Sequence, residues 1–567
     1  MLIAFLLWIF EASLFILYGR LALWLLRPLC GPRRAPQSSP LLVMLAGLVM
    51  VTSLASLASL WTNLSALTLA LFTLGGLLIL AWEWKVDRLN SLKAFWQVPT
   101  TGKGWLLIAL LLIGLVLDLS TRRAANPDTG IYHAQAIRWI ETYPAVPGLG
   151  NLHTRLAFNS AWLVANAQFS LAFLGIQSFH ALPGLFMAVF GWVALAGLRR
   201  ISQRAARPSD WVKALLLPLA FFTIATESSS PGTDFPAILL VWFVLIEWMA
   251  EQEQPGQDAY RPALIALVAV FAVTVKLSVA PVVLFAAFIF LRYLRARMFR
   301  LAGAILLGGA LILLPWCARN VVLSGYLVYP EPAVDLFNPD WKIPAQVAAA
   351  EKTVIQAWAR IPREEKTIVQ AMPLATWAKI WYFNHDKSDQ ALFWGVGLGP
   401  LTAALAWLAS RKVRAALKGQ VRRHALAYAV FYAGLAFWFF SAPDLRFGSG
   451  FVLGALVLGW LPWLILAQPL TAHWGKPIAG ALLVITLILW GLQIRSIEPR
   501  TLPLRLLLPK DYTSLSTAPC ALNNKTIFCA EWYNECGYHA FPCVPSADPQ
   551  VGLRGADYRD GFRNFGP

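Results

Sequence analysis

Charged residues are scarce in this sequence. Only 13% of its 567 residues are Asp, Glu, Lys or Arg, against roughly a quarter in soluble domains, and this excludes an ordinary soluble protein. Hydrophobic residues make up 58% of the chain, and many separate apolar runs of about 17–25 residues predict a polytopic membrane protein. The first run, 2–26, has no basic start and no A-x-A cleavage site, which favours a retained span over a signal peptide.

The sequence also lacks the motifs of nucleotide-dependent enzymes and of zinc proteases. It contains no Walker A loop, no G-x-G-x-x-G segment opening a cytoplasmic domain and no H-E-x-x-H motif. No sizeable cytoplasmic domain is predicted, so energy or an activated substrate has to arrive through the membrane. The net charge of +18 does not indicate nucleic acid, because the basic residues cluster in short loops beside apolar runs, where they orient a membrane protein.

Cysteines are few and unevenly placed. Four of the six lie in one window near the C-terminus, namely Cys520, Cys529, Cys536 and Cys543. Their spacing fits no C-x-x-C zinc pattern, so a metal site is not expected there. Two disulfides in an oxidising compartment are the better interpretation, with all three pairings open. The tail 495–567 is therefore predicted to be a small stapled cap outside the cytoplasm.

Fourteen apolar runs are predicted to span the membrane. They are 2–26, 40–60, 64–83, 104–120, 178–198, 211–226, 235–250, 262–275, 277–293, 299–318, 391–409, 425–441, 447–468 and 476–494. The loops after the first and third runs are basic and are therefore predicted to be cytoplasmic, which places both termini outside. The run 160–175 is interpreted as interfacial or re-entrant, because a span there would put the basic segment 199–207 outside.

The predicted fold is thus an all-α polytopic membrane protein with a transmembrane body over 1–494. Its long external loops are expected at 121–160 and 319–390. Within the second loop, 343–372 has helical periodicity with its charges on one face, which predicts one or two external amphipathic helices.

Candidate functional residues concentrate in the polar stretch 126–160. Asp128 follows Asn126-Pro127 and precedes a helical run, where the helix dipole stabilises an ionised carboxylate. A plain N-cap is the alternative explanation for this residue. The other candidates of the stretch are Tyr132, His133, Arg138, His153 and Arg155. His133 is either an imidazole donor to phosphate or an interfacial polar residue. For His153 and Arg155 the alternative is a loop solvated by its own charges.

A second set of candidates lies at the predicted external ends of other spans: Glu227, Asp234, Lys276, Arg319, His385 and Arg446. Glu227 and Asp234 are placed to bind sugar hydroxyls or an ion, or are simply solvated. Lys276 interrupts an apolar run, which is costly unless the ammonium is paired or snorkels to the surface. Arg319 and Arg446 suit bidentate phosphate binding near lipid headgroups. An ion pair with Asp444 is the alternative for Arg446.

The arrangement of an early acidic loop, a short amphipathic segment and many spans resembles the GT-C class of integral-membrane glycosyltransferases. Five segments look like a group of poorly characterised bacterial glycosyltransferase-like membrane proteins: NPDTGIYHAQ, VPGLGNLH, RLAFNS, SGYLVYP and APDLRFG. The resemblance implies a GT-C-like bundle of about fourteen transmembrane helices in a bacterial inner membrane. It also implies a polyprenyl-phosphate-linked sugar donor, with Asp128 as general base and with Lys276, Arg319 or Arg446 stabilising the leaving phosphate. The other candidates of both sets would bind the substrate or its lipid phosphate.

The same resemblance implies an extracytoplasmic glycan, lipid or protein as acceptor, with membrane lipids around the body. It leaves a divalent metal open as a cofactor. A flippase or transporter, or a polymerase or ligase, of lipid-linked saccharides would share this hydropathy and is the alternative. Charges paired deep in spans, or broken helices, would favour transport.

Overall fold

The computed structural model describes residues 1–29, 39–87, 102–255, 260–468, 473–494, 502–522 and 525–566. The predicted membrane orientation depends on two basic loops, and most of their residues lie outside these ranges. The segment joining the body to the tail also lies outside them.

The described α-helices are α1 Leu2–Leu26, α2 Pro40–Ala58, α3 Ala66–Asp87, α4 Lys103–Ser120, α5 Ala134–Thr142, α6 Leu149–Leu152, α7 Ala161–Phe169, α8 Leu182–Ser202, α9 Pro208–Thr223, α10 Asp234–Glu253, α11 Arg261–Val275, α12 Val283–Arg295, α13 Phe299–Ser324, α14 Ala345–Arg360, α15 Lys366–Ala371, α16 Leu374–Asn384, α17 Lys387–Ala409, α18 Arg411–Ser441, α19 Leu445–Leu466, α20 Gly475–Ile494 and α21 Leu502–Arg505.

Eleven helical stretches of the described residues are long and apolar enough to cross a membrane, and each matches one predicted span. The chain is therefore an integral membrane protein by length and composition. The other three predicted spans, 211–226, 235–250 and 262–275, correspond to α9, α10 and α11. These are helical but are not among the eleven, so the count of about fourteen is not confirmed.

Close packing of small residues joins the first two helices. A Cβ added to Gly19 would lie 1.8 Å from the carbonyl oxygen of Val43, and one added to Gly47 would lie 1.6 Å from that of Phe15. Glycine at both positions lets the backbones of α1 and α2 touch, as is common between helices in membranes.

Helix α10 lies inside the body. Nearly all of its residues are buried, including the Trp242 side chain, whose Nε1 donates to the carbonyl of Gly450 at 3.0 Å. A helix that is apolar all round is buried rather than amphipathic. Its first residue, Asp234, is also buried.

The run 160–175 forms the buried nine-residue helix α7. At a rise of 1.5 Å per residue it is about 14 Å long, roughly half of the apolar thickness of a bilayer, and is therefore too short to span. The segment 343–372 forms α14 and α15, in agreement with the predicted amphipathic helices.

The C-terminal tail carries two disulfides, Cys520–Cys529 and Cys536–Cys543, which settles the pairing. The prediction of an all-α chain is wrong here, because the tail contains strands β1 Thr517–Leu522, β2 Lys525–Ala530, β3 Cys543–Val544, β4 Val551–Leu553 and β5 Phe562–Asn564. Strands β1 and β2 are antiparallel, β3 is parallel to β2, and β4 pairs with β5. These strands are too short to give a clear alternating pattern in the sequence.

The tail packs against the loop 121–160. Trp139 of α5 and Phe562 of β5 belong to one hydrophobic cluster. Gln135 Nε2 donates to the carbonyls of Gly537 and Ala540 at 2.9 and 2.7 Å. The tail is therefore attached to the segment that carries most of the candidate residues.

Candidate functional site

Asn126 fixes the segment in which Asp128 lies. Its backbone N–H donates to Ser230 Oγ at 2.9 Å, and its side-chain Nδ2 donates to Glu227 Oε2 at 2.8 Å. Its Oδ1 accepts from the backbone N–H of Asp128 at 2.9 Å, as Asn often does before a turn. The start of the loop is thus bound to the turn that precedes α10.

Asp128 stands at the start of a π-helical turn, Thr129–His133, that leads into α5. The side chain makes no capping hydrogen bond, so capping does not account for it. Its two oxygens instead meet two guanidinium groups: Oδ2 lies 3.0 Å from Arg446 Nη1, and Oδ1 lies 3.3 Å from Arg155 Nη1. Turns of π type are rare in proteins, but those that occur are often found at functional sites.

These pairs continue in both directions into one ion chain. Its members, in spatial order, are Glu351, Arg155, Asp128, Arg446, Asp234 and Lys276. Arg446 Nε lies 3.5 Å from Asp234 Oδ2, and Arg155 Nε lies 3.6 Å from Glu351 Oε1. Three carboxylates alternate with three cations, so the chain as a whole is neutral.

Three members of the ion chain lie at the ends of apolar helices. Asp234 begins α10, Arg446 lies in the first turn of α19, and Lys276 interrupts the helix at the end of α11. A charged side chain is costly in the apolar middle of a span, which cannot solvate it, and is therefore better tolerated at the end of a helix. Asp444 is the N-cap of α19, where its carboxylate accepts from the Arg446 backbone N–H at 2.9 Å.

Lys276 is paired rather than snorkelling. Its ammonium contacts the carboxylate of Asp234 and lies 4.3 Å from the centroid of the Phe447 ring. The Lys276 side chain is 20% exposed and that of Asp234 is 4% exposed. The contact is thus largely shielded from water, where pairing of charges matters most.

Basic side chains keep Asp128 ionised. Burial would raise the pKa of its carboxyl, but the basic side chains around it, His133 first and then the cations of the ion chain, outweigh burial and the pKa is lowered. Glu227 behaves oppositely, because burial raises the pKa of its carboxyl in spite of the hydrogen bond from Asn126. The site therefore holds one carboxyl biased towards the charged form and one biased towards the protonated form.

His133 and Tyr132 lie beside Asp128 in the interior. Burial lowers the pKa of His133 to about 4, and neither ring nitrogen has a hydrogen-bond partner among the described residues. Burial raises the pKa of Tyr132 well above its ordinary value. The Arg155 guanidinium lies 5.8 Å from the centroid of the Tyr132 ring. At neutral pH both rings are uncharged.

No group of three His, Cys, Asp or Glu residues able to hold a metal ion occurs in the described part of the chain. Within the ion chain, the carboxylates of Asp128 and Asp234 are already paired with Arg446 and Lys276. The alternative of a divalent cofactor gains no support from this arrangement.

Residues 1–453 match a family described as "Domain of unknown function (DUF8201)". The match covers four fifths of the sequence and the whole ion chain. The chain belongs to this family. No curated protein and no solved structure matches it.

The DUF8201 match includes every member of the ion chain and ends before the disulfide-bonded tail. Of the residues predicted from sequence, the structure brings together Asp128, Arg155, Asp234, Lys276 and Arg446, with Tyr132 and His133 alongside and Glu227 joined through Asn126. The family region thus contains a polar centre assembled from segments far apart in the sequence.

Four predicted site residues of this DUF8201 protein lie elsewhere. Arg138 donates to the tail carbonyls of Tyr538 and His539, and its role is to anchor the tail. His385 Nδ1 contacts the carbonyl of Trp381 at 2.8 Å. The remaining two, His153 and Arg319, form none of the ion chain's contacts among the described residues. Burial lowers the pKa of His153 to about 3, so its ring is neutral.

Sequence reasoning missed Glu351 of the ion chain. It lies on the amphipathic helix α14, where it is indistinguishable from the ordinary charged residues of a solvated face. Its carboxylate also accepts from Thr154 Oγ1 at 2.9 Å, so Glu351 contacts two adjacent residues of the loop, Thr154 and Arg155. The sequence gives Asn126 no role beyond its place before Pro127, although an Asn-Pro pair favours the start of a turn.

Proposed function

We propose that this protein is a GT-C-type glycosyltransferase that moves a sugar from a polyprenyl-phosphate donor to an extracytoplasmic glycan, lipid or protein. The supporting observation is a carboxylate, Asp128, held ionised between Arg155 and Arg446 where apolar helices end. In this proposal both termini and the loop 121–160 lie outside a bacterial inner membrane.

The proposed reaction is a direct displacement at the sugar C1. The acceptor hydroxyl attacks C1 while the bond from C1 to the lipid phosphate oxygen breaks, and Asp128 accepts the hydroxyl proton. Such general-base assistance contributes about 10²–10⁴-fold to a rate. The charge that develops on the leaving phosphate is stabilised by Arg446, Arg155 and Lys276, as cations do for departing phosphates in dry sites.

The resting ion chain fits this sequence of events. Each cation is paired with a carboxylate, so the site is neutral until an anionic donor competes for its cations. A phosphate that draws Arg446 from Asp128 removes one of the charges that lower the pKa of this carboxyl. Donor binding therefore makes Asp128 a stronger base when the acceptor arrives.

The tail supplies a surface for the acceptor. Trp532 and Tyr533 are 70% and 88% exposed, and aromatic faces of this kind combine apolar stacking area with a polar edge. Just beyond them, the backbone N–H groups of Cys536 and Gly537 donate to the carbonyl of Gly130 at 2.9 and 2.8 Å. Gly130 is two residues from Asp128, so this contact joins the tail to the segment that carries the proposed base.

A transfer assay tests the proposal. Purified full-length protein in lipid nanodiscs is supplied with radiolabelled polyprenyl-phosphate sugars and an envelope extract as acceptor, and label is followed in lipid and glycan fractions. We expect covalent transfer of label to the acceptor fraction. Absence of transfer from every polyprenyl-phosphate sugar tested would contradict the proposal.

Transport of a lipid-linked saccharide is the second candidate, and the break at Lys276 favours it. The helical path from Arg261 to Arg295 is interrupted at Lys276, whose backbone is extended, and its ammonium is paired with Asp234. Broken helices with paired charges are typical of transporters. In sealed proteoliposomes, movement of labelled donor between leaflets without covalent transfer would support transport over transfer.

A further inference from the structure

Arg319 is a buried cation without a counter-charge. It lies on α13 and is 3% exposed. Its Nε donates to Asn159 Oδ1 at 3.1 Å and its Nη1 donates to Ser59 Oγ at 2.6 Å, both neutral groups. No ion pair of Arg319 occurs within the described residues. A buried charge is strongly disfavoured unless an opposite charge compensates it.

Arg319 lines a small cavity. It offers about 20 Å³ and is lined by Arg319, Asn159, Ser160 and Trp139, with apolar side chains such as Leu163 completing the wall. None of the described residues that line it is acidic. A space of this size holds one water-sized species, and it is too small for a phosphate group.

Trp139 adds an unused donor to the same cavity. Its side chain is 2% exposed, and its Nε1 has no hydrogen-bond partner in the described part of the chain. An indole N–H is a donor only, so its partner has to be an acceptor. The cavity is thus lined by a residue with a buried cation and by a residue with an unpartnered N–H donor, and none of its described lining residues is acidic.

We infer that this cavity binds one small inorganic anion of the size of chloride. Water would accept from the Trp139 N–H but would leave the charge of Arg319 uncompensated. A chloride ion answers both requirements and is only slightly larger than water. Because Arg319 ties α13 to the end of α2 through Ser59 and to the loop 121–160 through Asn159, the anion stabilises the base of that loop. This inference does not depend on the proposed reaction.

Halide-dependent stability of the full-length protein tests the inference. The purified protein is heated in sodium gluconate and in rising sodium chloride at constant ionic strength, and the Tm is recorded. We expect a saturable rise in Tm with chloride, reproduced by bromide and absent with sulfate, which does not fit the cavity. A Tm that is the same in chloride and gluconate means that water alone fills the cavity, and this would overturn the inference.

Two substitutions test whether the chloride dependence of the Tm arises at this cavity. Trp139→Phe removes the N–H while keeping an aromatic ring, and we expect it to weaken the apparent chloride affinity about tenfold, as loss of one hydrogen bond to a charged group does. Arg319→Met should abolish the chloride dependence. The control is Trp248→Phe, because Trp248 is equally buried and its N–H is also unpartnered among the described residues, yet it does not line the cavity. Unchanged chloride affinity in Trp139→Phe would overturn the assignment even if Arg319→Met fails to fold.

Discussion

The Arg446 guanidinium lies 3.0 Å from the carboxylate of Asp128, which joins the start of α19 to the loop 121–160. The same guanidinium reaches Asp234 at 3.5 Å, so one cation lies between the two carboxylates at the centre of the ion chain. Removing any one member leaves the partly buried ion chain with an uncompensated net charge, and the first prediction below follows from this.

The pair of Lys276 and Asp234 should be energetically coupled. Lys276→Met and Asp234→Asn each leave a charge that is shielded from water, whereas the double variant removes both charges. We therefore expect the two losses of stability to be less than additive, with a coupling energy of about 1–3 kcal/mol. The Tm and the unfolding free energy of the four proteins in one detergent measure it.

An exposed pair serves as the control for this cycle. Lys352 and Glu331 form an ion pair in which the side chains are 41% and 36% exposed. Solvent screening should limit their coupling to about 0–1 kcal/mol. Equal coupling in the two pairs would mean that the Lys276 contact gains nothing from its burial.

Stability should fall in mild acid because of His133. Its pKa is about 4 in the folded protein against 6.5 for an unperturbed histidine, so the unfolded chain takes up the proton first as the pH falls. The contribution is fully present above about pH 6.5 and is lost as the pH approaches 4, with an upper value of about 3 kcal/mol.

The substitution His133→Gln removes this titration. We expect the Tm of the wild-type protein to fall more steeply between pH 7 and pH 5 than the Tm of the variant. Parallel curves for the two proteins would show that His133 does not titrate between the folded and unfolded states in this way.

The positions of the charges were predictable from the sequence, and their contacts were not. In so apolar a chain, charges such as Asp234 and Arg446 have to lie at helix ends, which is where the structure has them. Whether those ends meet depends on how α10, α11 and α19 pack, and hydropathy does not record that. Glu351 was missed because its partner, Arg155, lies on a separate segment.

The same limit applies to the fold. Apolar length predicted the eleven helical stretches that are long and apolar enough to cross a membrane, because lipid imposes one length on every span. Helices α9, α10 and α11 are also apolar, but burial inside the protein imposes no such length, so composition alone leaves the count of about fourteen spans unconfirmed. The strands of the tail are held by disulfides and by contacts with Gln135 and Trp139. The clustered cysteines indicate the disulfides, but the long-range contacts leave no local pattern.

The exposed aromatic pair of the tail, Trp532 and Tyr533, should affect binding of the acceptor and not binding of the donor. Under the proposed function, Trp532→Ala and Tyr533→Ala remove stacking area and should raise the KM for the acceptor about tenfold, as loss of one good aromatic contact does. The KM for the polyprenyl-phosphate donor should not change. Initial rates at varied donor and acceptor concentrations measure both values.

Phe565→Ala is the matched control, because Phe565 is also an exposed aromatic residue of the tail, at 52%, and stacks on Arg563 instead. It should leave both KM values unaltered. An equal rise in donor and acceptor KM in the Trp532 variant would indicate disturbed folding of the tail and contradict an acceptor surface.

The most direct test of the account is the rate of sugar transfer by Asp128→Asn in nanodiscs. Asn keeps the size of the side chain but cannot accept the acceptor proton, so we predict a loss of at least about 10²-fold in a protein that still purifies as a folded species. Asp335→Asn, at a half-exposed carboxylate that pairs with Lys342 outside the ion chain, should transfer at the wild-type rate. Near-normal transfer by Asp128→Asn would contradict the central claim that this carboxylate is the base.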